Sequence, residues 1–278
     1  MATPQGTQPS GSRITDTYMS KPILVVIPYL PGFGQGREIE YAVAGWRRHF
    51  KEDFVLVAVG EGVTGRVPEG VVPVESPRAA ERPGQYRQHL DYVSCFRRVR
   101  EAFPDSRGFI RVADDCYAVR DFDMTDVLTR KTIGEVAFNS ISIPGTWQGD
   151  KQRTRKALVD NGYSVHNYTT HLPQWFEWDK LAALWERFGM DKTSYVDEDL
   201  YYNIYEGDRA AINVHTEEQP YKCGIYRANP RIDYIEGCIG RRIWITNSPE
   251  GWVPQLDMML AKYYFDEGGW VWTNRQIL

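Results

Sequence analysis

Hydrophobic patterning begins at Pro22 to Pro28 (PILVVIP), a continuous apolar run rich in β-branched residues that ends in the Pro/Gly-rich turn Pro28 to Gly36, and it predicts a buried strand. From Arg37 to Phe50 the apolar residues Ile39, Val43, Trp46 and Phe50 fall at helical spacing until Lys51 to Asp53 breaks the pattern. Phe54 to Val59 is again a continuous apolar run. The order is β-α-β, and strands without polar alternation belong in a parallel sheet covered by helices on both faces. Gly60 to Gly70 reads as a loop, Val71 to Val74 as a short third strand, and Gln85 to Phe103 as a helix stopped by Pro104. Phe109 to Val112 is the next buried strand, followed at once by Ala113-Asp114-Asp115-Cys116 and then by Tyr117 to Phe122 as a continuation or edge strand.

The second half is less regular. The pattern predicts a strand at Ala137 to Pro144, a basic helix at Lys151 to Asn161 closed by Gly162, and a short strand at Tyr163 to Asn167. It also predicts a helix at Asp179 to Phe188 closed by Gly189 and one at Val196 to Tyr205 with an acidic first turn, which the helix dipole favours. Strands at Lys222 to Tyr226 and Arg242 to Ile245 and a helix at Pro254 to Tyr264 complete the reading. With no internal repeat or long linker, one mixed α/β domain over residues 21–278 with a carboxyl-terminal elaboration is expected. Residues 1–20, polar and without an apolar core, read as a flexible arm rather than a signal peptide.

A chain of 278 residues buries a sizeable core without staples. Cys95, Cys116, Cys223 and Cys238 form no CxxC pair, and no apolar segment approaches the ~18 residues of a membrane span, so a soluble protein of a reducing cytoplasm is expected. The net charge of −4 supplies no global basic field for a polyanion, so a nucleic-acid partner requires a local patch. Nine Trp and 17 Tyr exceed what a plain core asks for, and these side chains stack on flat or partly apolar ligand faces. The first strand is not followed by GxGxxG, and GxSxG, HExxH and GxxxxGK[ST] are missing, which demotes dinucleotide binding, serine hydrolysis, zincin and P-loop chemistry. His166, His215 and the cysteines show no zinc spacing.

Asp114 and Asp115 are the strongest chemical signal. Adjacent carboxylates concentrate negative charge that Mg²⁺ or Mn²⁺ neutralises, and Mg²⁺ is commonly held by one or two carboxylates with substrate phosphates completing the shell. Their place at the carboxyl end of a strand is where open α/β sheets bind ligands. Paired aspartates also mark ordinary turns. Asp197, Glu198 and Asp199 offer a general base for an attacking hydroxyl, with Asp199 and then Asp197 preferred, although three acids in a row also make an ordinary helix amino terminus. Arg111 precedes the acidic pair by three positions, so strand alternation would put it on the face of Asp115, as a local ion pair or a donor contact. Lys151, Arg153, Arg155 and Lys156, with Trp147 nearby, form a basic cluster that reads as a solvated helix face or a contact for an anionic acceptor or diphosphate.

The succession ILVVIPYL, GREIEYAVAGWRRHF, DFVLVAVGEG, VVPVE, a long helix and GFIRVADDCYAV resembles the front half of a nucleotide-diphospho-sugar transferase of the GT-A class. More narrowly, it is similar to phage and bacterial glycosyltransferase-like proteins distantly related to the Stealth sugar-phosphate transferases, with weaker echoes in THLPQWFEWDKL and YVDEDLYYNIY. The resemblance implies a Rossmann-like, mostly parallel mixed sheet flanked by helices, with residues 21–125 as the nucleotide-binding half and 126–278 as the acceptor half. It implies Asp115 as the better metal ligand for Mn²⁺ or Mg²⁺ and Asp114 as partner of ribose or donor-sugar hydroxyls or a second ligand, the two roles being exchangeable, and His171 as a completing ligand or a residue facing the donor. Pro28 and Tyr29 would meet the nucleotide base and Arg37 its phosphate. Ala113 departs from the Asn or first Asp of the relatives' acidic motif. The implied activity is transfer of a sugar from a nucleoside diphosphate sugar of UDP or GDP type to a hydroxyl of a glycan, a protein glycan or a phage-modified DNA base. A Stealth-type sugar-phosphate transfer and a non-catalytic glycan-binding module are the alternatives.

Overall fold

The computed structural model describes residues 22–266 except 35, 137–143, 208–209 and 217. The expected arm at 1–20 and nearly all of the strand expected at 137–144 lie outside the described residues. The opening apolar run forms β1 (Ile23–Pro28), followed by α1 (Glu38–His49), β2 (Phe54–Gly60), β3 (Val72–Glu75), α2 (Arg87–Ala102) and β4 (Gly108–Arg111), each end within two residues of the sequence reading. Then come β5 (Cys116–Ala118), α3 (Met124–Leu128), β6 (Lys131–Thr132), α4 (Trp147–Asp160), β7 (Gln174–Glu177), α5 (Trp178–Phe188) and α6 (Asp197–Glu206). The chain continues through β8 (Ile212–Asn213), β9 (Lys222–Ile225), α7 (Ile232–Ile239), β10 (Trp244–Asn247) and α8 (Pro254–Phe265).

The central sheet has the order β3-β2-β1-β4-β7. Its first four strands are parallel, with Val25 opposite Leu56 on one side and Ile110 on the other, and β7 joins β4 antiparallel through Phe109 opposite Phe176. The chain is thus a mixed α/β protein with a mostly parallel central sheet flanked by helices. Side-chain alternation explains the apolar runs. Val25 and Ile27 pack with Ile39, Val43 and Trp46 of α1, whereas Leu24 and Val26 pack with Val93, Phe96 and Val99 of α2 and Leu181 and Leu184 of α5. Both faces are therefore dry.

A smaller sheet, β5-β10-β9, carries the carboxyl-terminal elaboration, with β10 parallel to β9 and antiparallel to β5. It shares a third core with α7 and α8, in which the Tyr41 hydroxyl of α1 donates to Asp257 Oδ1 at 2.7 Å and the Tyr264 hydroxyl donates to the Ala118 carbonyl at 2.5 Å. Gly189 closes α5 at φ 57°, as its sequence position predicts.

Three expectations are corrected. Tyr117 to Phe122 neither continues β4 nor edges the central sheet, because the turn at 113–116 redirects the chain into the smaller sheet, where only Cys116–Ala118 is strand. Tyr163 to Asn167 makes only an isolated bridge between His166 and Glu135. The strand β7 and the helix α7 were not anticipated, since four residues give too short an alternation and Gly237 interrupts a weak helical pattern.

Candidate active site

The carboxyl tips of β1, β2 and β4 build the site. Gly60 ends β2 against β1, and a Cβ there would stand 2.0 Å from the Tyr29 carbonyl oxygen, so the backbones meet only because the residue is glycine. Tyr29 N donates to the Val59 carbonyl at 2.9 Å, which holds the tyrosine at the tip. Val112 N donates to the Val26 carbonyl at 3.1 Å, and Cys116 N donates to the Ala113 carbonyl at 3.3 Å, so Asp114 and Asp115 occupy a tight turn one residue beyond the last strand contact.

The two aspartates stand in different surroundings. Asp115 Oδ2 lies 3.4 Å from His171 Nδ1, while its Oδ1 is buried and accepts no hydrogen bond. Burial, then the charges of Asp115 and Glu38, push the Asp114 carboxyl up to about 8. Glu38, the first residue of α1, accepts a hydrogen bond from Asn247 Nδ2 at 3.0 Å, and Asn247 in turn accepts one from the Tyr117 hydroxyl. The negative charge of Glu38 on α1 is thus felt at Asp114 in the β4 turn. His171 adopts φ 62°, a left-handed conformation uncommon for a residue with a side chain, and leaves its imidazole about half exposed beside Asp115.

Tyr29 connects this acidic turn to a cleft of about 440 Å³ lined by Ile39, Glu40, Val43, Arg47, Arg66 and Phe265. Its hydroxyl is pushed above the ordinary tyrosine range by burial and by Asp114, with Arg66 acting in the opposite sense. The tyrosine therefore feels a carboxylate and a guanidinium of opposite charge. Arg37 stands at the rim, donating to Glu40 Oε2 at 2.8 Å and stacked over Phe265 at 4.9 Å. Arg66 and Glu38 were not singled out from the sequence, because a lone arginine in a turn-rich loop and a first-turn glutamate carry no motif. A larger cleft of about 690 Å³ lies between α2 and α5, where Arg100 is paired with Asp179 and Arg97 is stacked on Trp185.

The structure corrects the expected position of Arg111 and places the proposed general bases elsewhere. β4 ends at Arg111, so alternation no longer governs Asp115, and the guanidinium turns instead to α6, donating to Asp197 at 3.1 Å and meeting Glu198 Oε1 at 2.8 Å above the Tyr92 ring. Both Asp197 oxygens face Arg111. Burial and the neighbouring Glu198 raise the Asp197 carboxyl, whereas Arg111 holds Glu198 well below the carboxylate range against the effect of burial. Asp199 is fully buried, accepting from Lys151 Nζ at 2.6 Å and from Tyr168 N at 2.7 Å. Both oxygens are engaged, so Asp197 and Asp199 hold α6 in place rather than present a base to a cleft. The basic cluster divides: Lys151 serves the buried Asp199 and Arg153 meets the buried Asp150 at 2.8 Å, whereas Lys156 lies on the solvated face of α4 and pairs there with Asp160.

Whether these residues suit a divalent cation is tested by their own chemistry. Among the described residues no three or more His, Cys, Asp or Glu side chains are arranged to hold a metal ion by themselves. A buried carboxylate oxygen without a donor, next to a carboxyl raised by burial and by its neighbours' negative charge, nevertheless suits a divalent cation whose remaining ligands come from phosphates. The residues fit.

Among the described residues no helix is long and apolar enough to cross a membrane. No family model and no curated protein matches the sequence. Among solved structures, the chain is similar to the crystal structure of a glycosyltransferase involved in the glycosylation of the major capsid of PBCV-1, at 10% identity and a TM-score of 0.36, over 81% of this chain and 93% of that one. It is also similar to the apo-form glycosyltransferase GlyE of Streptococcus pneumoniae TIGR4, at 11% identity and a TM-score of 0.36, over 89% of this chain and 61% of that one. These likenesses assign no role to any residue here.

Proposed function

We propose that this chain is a metal-dependent glycosyltransferase that moves a sugar from a nucleoside diphosphate sugar to an acceptor hydroxyl. The observation that carries the reading is the Asp114-Asp115 turn at the carboxyl edge of the sheet, with one Asp115 oxygen buried and unpartnered, linked by Tyr29 to a cleft that contains Arg66. Leaving such an oxygen unsatisfied costs about 1–3 kcal/mol or more, which a bound ligand recovers.

Asp115 and Asp114 would hold the cation, with His171 beside them. A bound Mn²⁺ or Mg²⁺ supplies Lewis-acid stabilisation of the charge that grows on a departing diphosphate. Tyr29 offers a ring face to the base, and Arg66 and the rim residue Arg37 offer guanidinium groups to phosphate oxygens. Ile39, Val43 and Phe265 give the cleft an apolar wall.

Calorimetry with UDP and GDP, with and without Mn²⁺, tests the site. Nucleotide binding that requires Mn²⁺ is expected, and its loss in Asp115→Ala with an unchanged circular dichroism spectrum supports the assignment. Undiminished metal-dependent donor cleavage in Asp115→Ala removes it. Retention of phosphate on the product would point to sugar-phosphate transfer instead.

A further inference from the structure

Two half-exposed aromatic rings are braced on the loop that leads into His171. Trp147 begins α4 and is 42% exposed, with Lys151 Nζ 5.1 Å from its ring. Tyr226 follows β9 and is 46% exposed, with Lys222 Nζ 5.4 Å from its ring. Both lysines are buried, and both clamp the same loop. Lys151 donates at 2.6 Å each to Asn167 Oδ1, Thr169 Oγ1 and Asp199 Oδ2, and Lys222 donates to the Thr170 carbonyl. The next residue, His171, is the one beside Asp115.

This is an unusual use of lysine. Each ammonium supports one aromatic surface by cation–π attraction and leaves the rest of the ring facing solvent. All three Lys151 donors are spent and Asp199 balances its charge, so the exposed indole carries no free cation. Tyr226 is steadied further by a 3.2 Å contact between its hydroxyl and Thr246 Oγ1, in the strand opposite Cys116. Single exposed aromatics are ordinary on protein surfaces. Two that are immobilised through buried charges on one loop, next to the candidate catalytic turn, form a prepared platform.

From this geometry we propose that Trp147 and Tyr226 are the stacking surfaces of an acceptor subsite for a neutral oligosaccharide, whose reacting hydroxyl is presented toward the His171–Asp115 side of the loop. Pyranose rings offer an apolar C–H face that stacks on indole and phenol, and with the Lys151 charge balanced by Asp199 the Trp147 side favours neutral sugars over anionic ones. The acceptor role rests on the transferase reading above, whereas the binding itself does not.

The test is calorimetric titration of the full chain with malto-, cello- and chito-hexaose. At least one is expected to bind. Trp147→Ala and Tyr226→Ala should each weaken that binding about tenfold, while Trp147→Phe and Tyr226→Phe, which keep a ring, stay within about threefold. Near-ultraviolet circular dichroism confirms that each variant is folded. Failure of the wild-type chain to bind any of the three, or alanine variants that bind as well as wild type, overturns the proposal. So does preferential binding of a single-stranded oligonucleotide to the same rings. Oligosaccharide binding without Mn²⁺-dependent donor cleavage removes the transferase reading and leaves the subsite standing.

Discussion

Asp114 and Asp115 are neighbours in sequence, yet the fold gives them opposite tasks. Asp115 offers an oxygen with no protein donor, and Asp114 keeps a proton that an ordinary carboxyl would release. The difference has a measurable consequence in pH. The Asp114 carboxyl is raised to about 8 in the folded chain from an ordinary value of 3.8, so between these two values the folded state binds more protons than the unfolded one. Stability contributed by this group is complete below the lower value and is lost as pH rises through the upper one. The melting temperature of the metal-free protein should therefore fall more steeply from pH 5 to about 8 than that of Asp114→Asn, by thermal denaturation across that range. Mn²⁺ added at about pH 8 should raise the wild-type value, because binding holds the carboxylate form, and should raise the variant's less. Equal slopes for the two proteins would mean that the carboxyl is not raised. These aspartates were legible in the sequence because residue type and strand position together carry the signal. Glu38 was not, because its distance from them along the chain hides that α1 begins within reach of the Asp114 charge.

At the scale of elements, α6 shows how a motif in sequence becomes framework in space. Its first turn, Asp197-Glu198-Asp199, reads equally well as a catalytic acid cluster and as a dipole-matched helix start. Packing decided between them by burying all three residues against Arg111 of β4 and Lys151 of α4. A buried ion pair adds little over an apolar substitute of the same shape, but removing one partner strands the other. Arg111→Met should accordingly destabilise the protein by about 3–5 kcal/mol, read as a lower urea midpoint, with Asp197 and Glu198 left buried beside Tyr92. A change below about 0.5 kcal/mol would show that α6 is held by its apolar contacts alone. The helices and strands themselves were largely readable, since β1, α1, β2, α2 and β4 follow from apolar runs and helical spacing. β7 was not, because a four-residue strand acquires its identity from Phe109 and Ile110 across the ladder rather than from its own pattern.

For the whole molecule, charge is the property that the fold redistributes most. The chain carries 33 Lys and Arg against 37 Asp and Glu, and the structure buries several of the cations, among them Lys131, Lys151 and Lys222. Lys131 is spent on the carbonyls of Asp126, Val127 and Thr129 at the end of α3, and burial depresses it to about 7. With a net charge of −4, the protein should bind duplex DNA no more tightly than non-specific proteins do, with a Kd above about 10⁻⁶ M at physiological salt. Fluorescence anisotropy with a labelled duplex measures this, and tighter, salt-dependent binding would favour a DNA base as acceptor over the oligosaccharide platform at Trp147 and Tyr226.

Local information determined the parallel core, since unbroken apolar runs can be satisfied only where both faces of a strand are covered, and helical spacing can be met only by packing one face of a helix on them. It also determined that Asp114 and Asp115 follow the last parallel strand. Tertiary structure alone decided what each charge does. Whether a carboxylate is a ligand, a shared proton or half of an ion pair depends on the few groups within hydrogen-bond reach, and for Asp115, Arg111 and Lys151 these are His171, the α6 acids and the 167–169 loop. Those partners come from distant parts of the chain, and the energy of a charge is set by its surroundings in space, whereas the energy of an apolar run is set largely by the run itself.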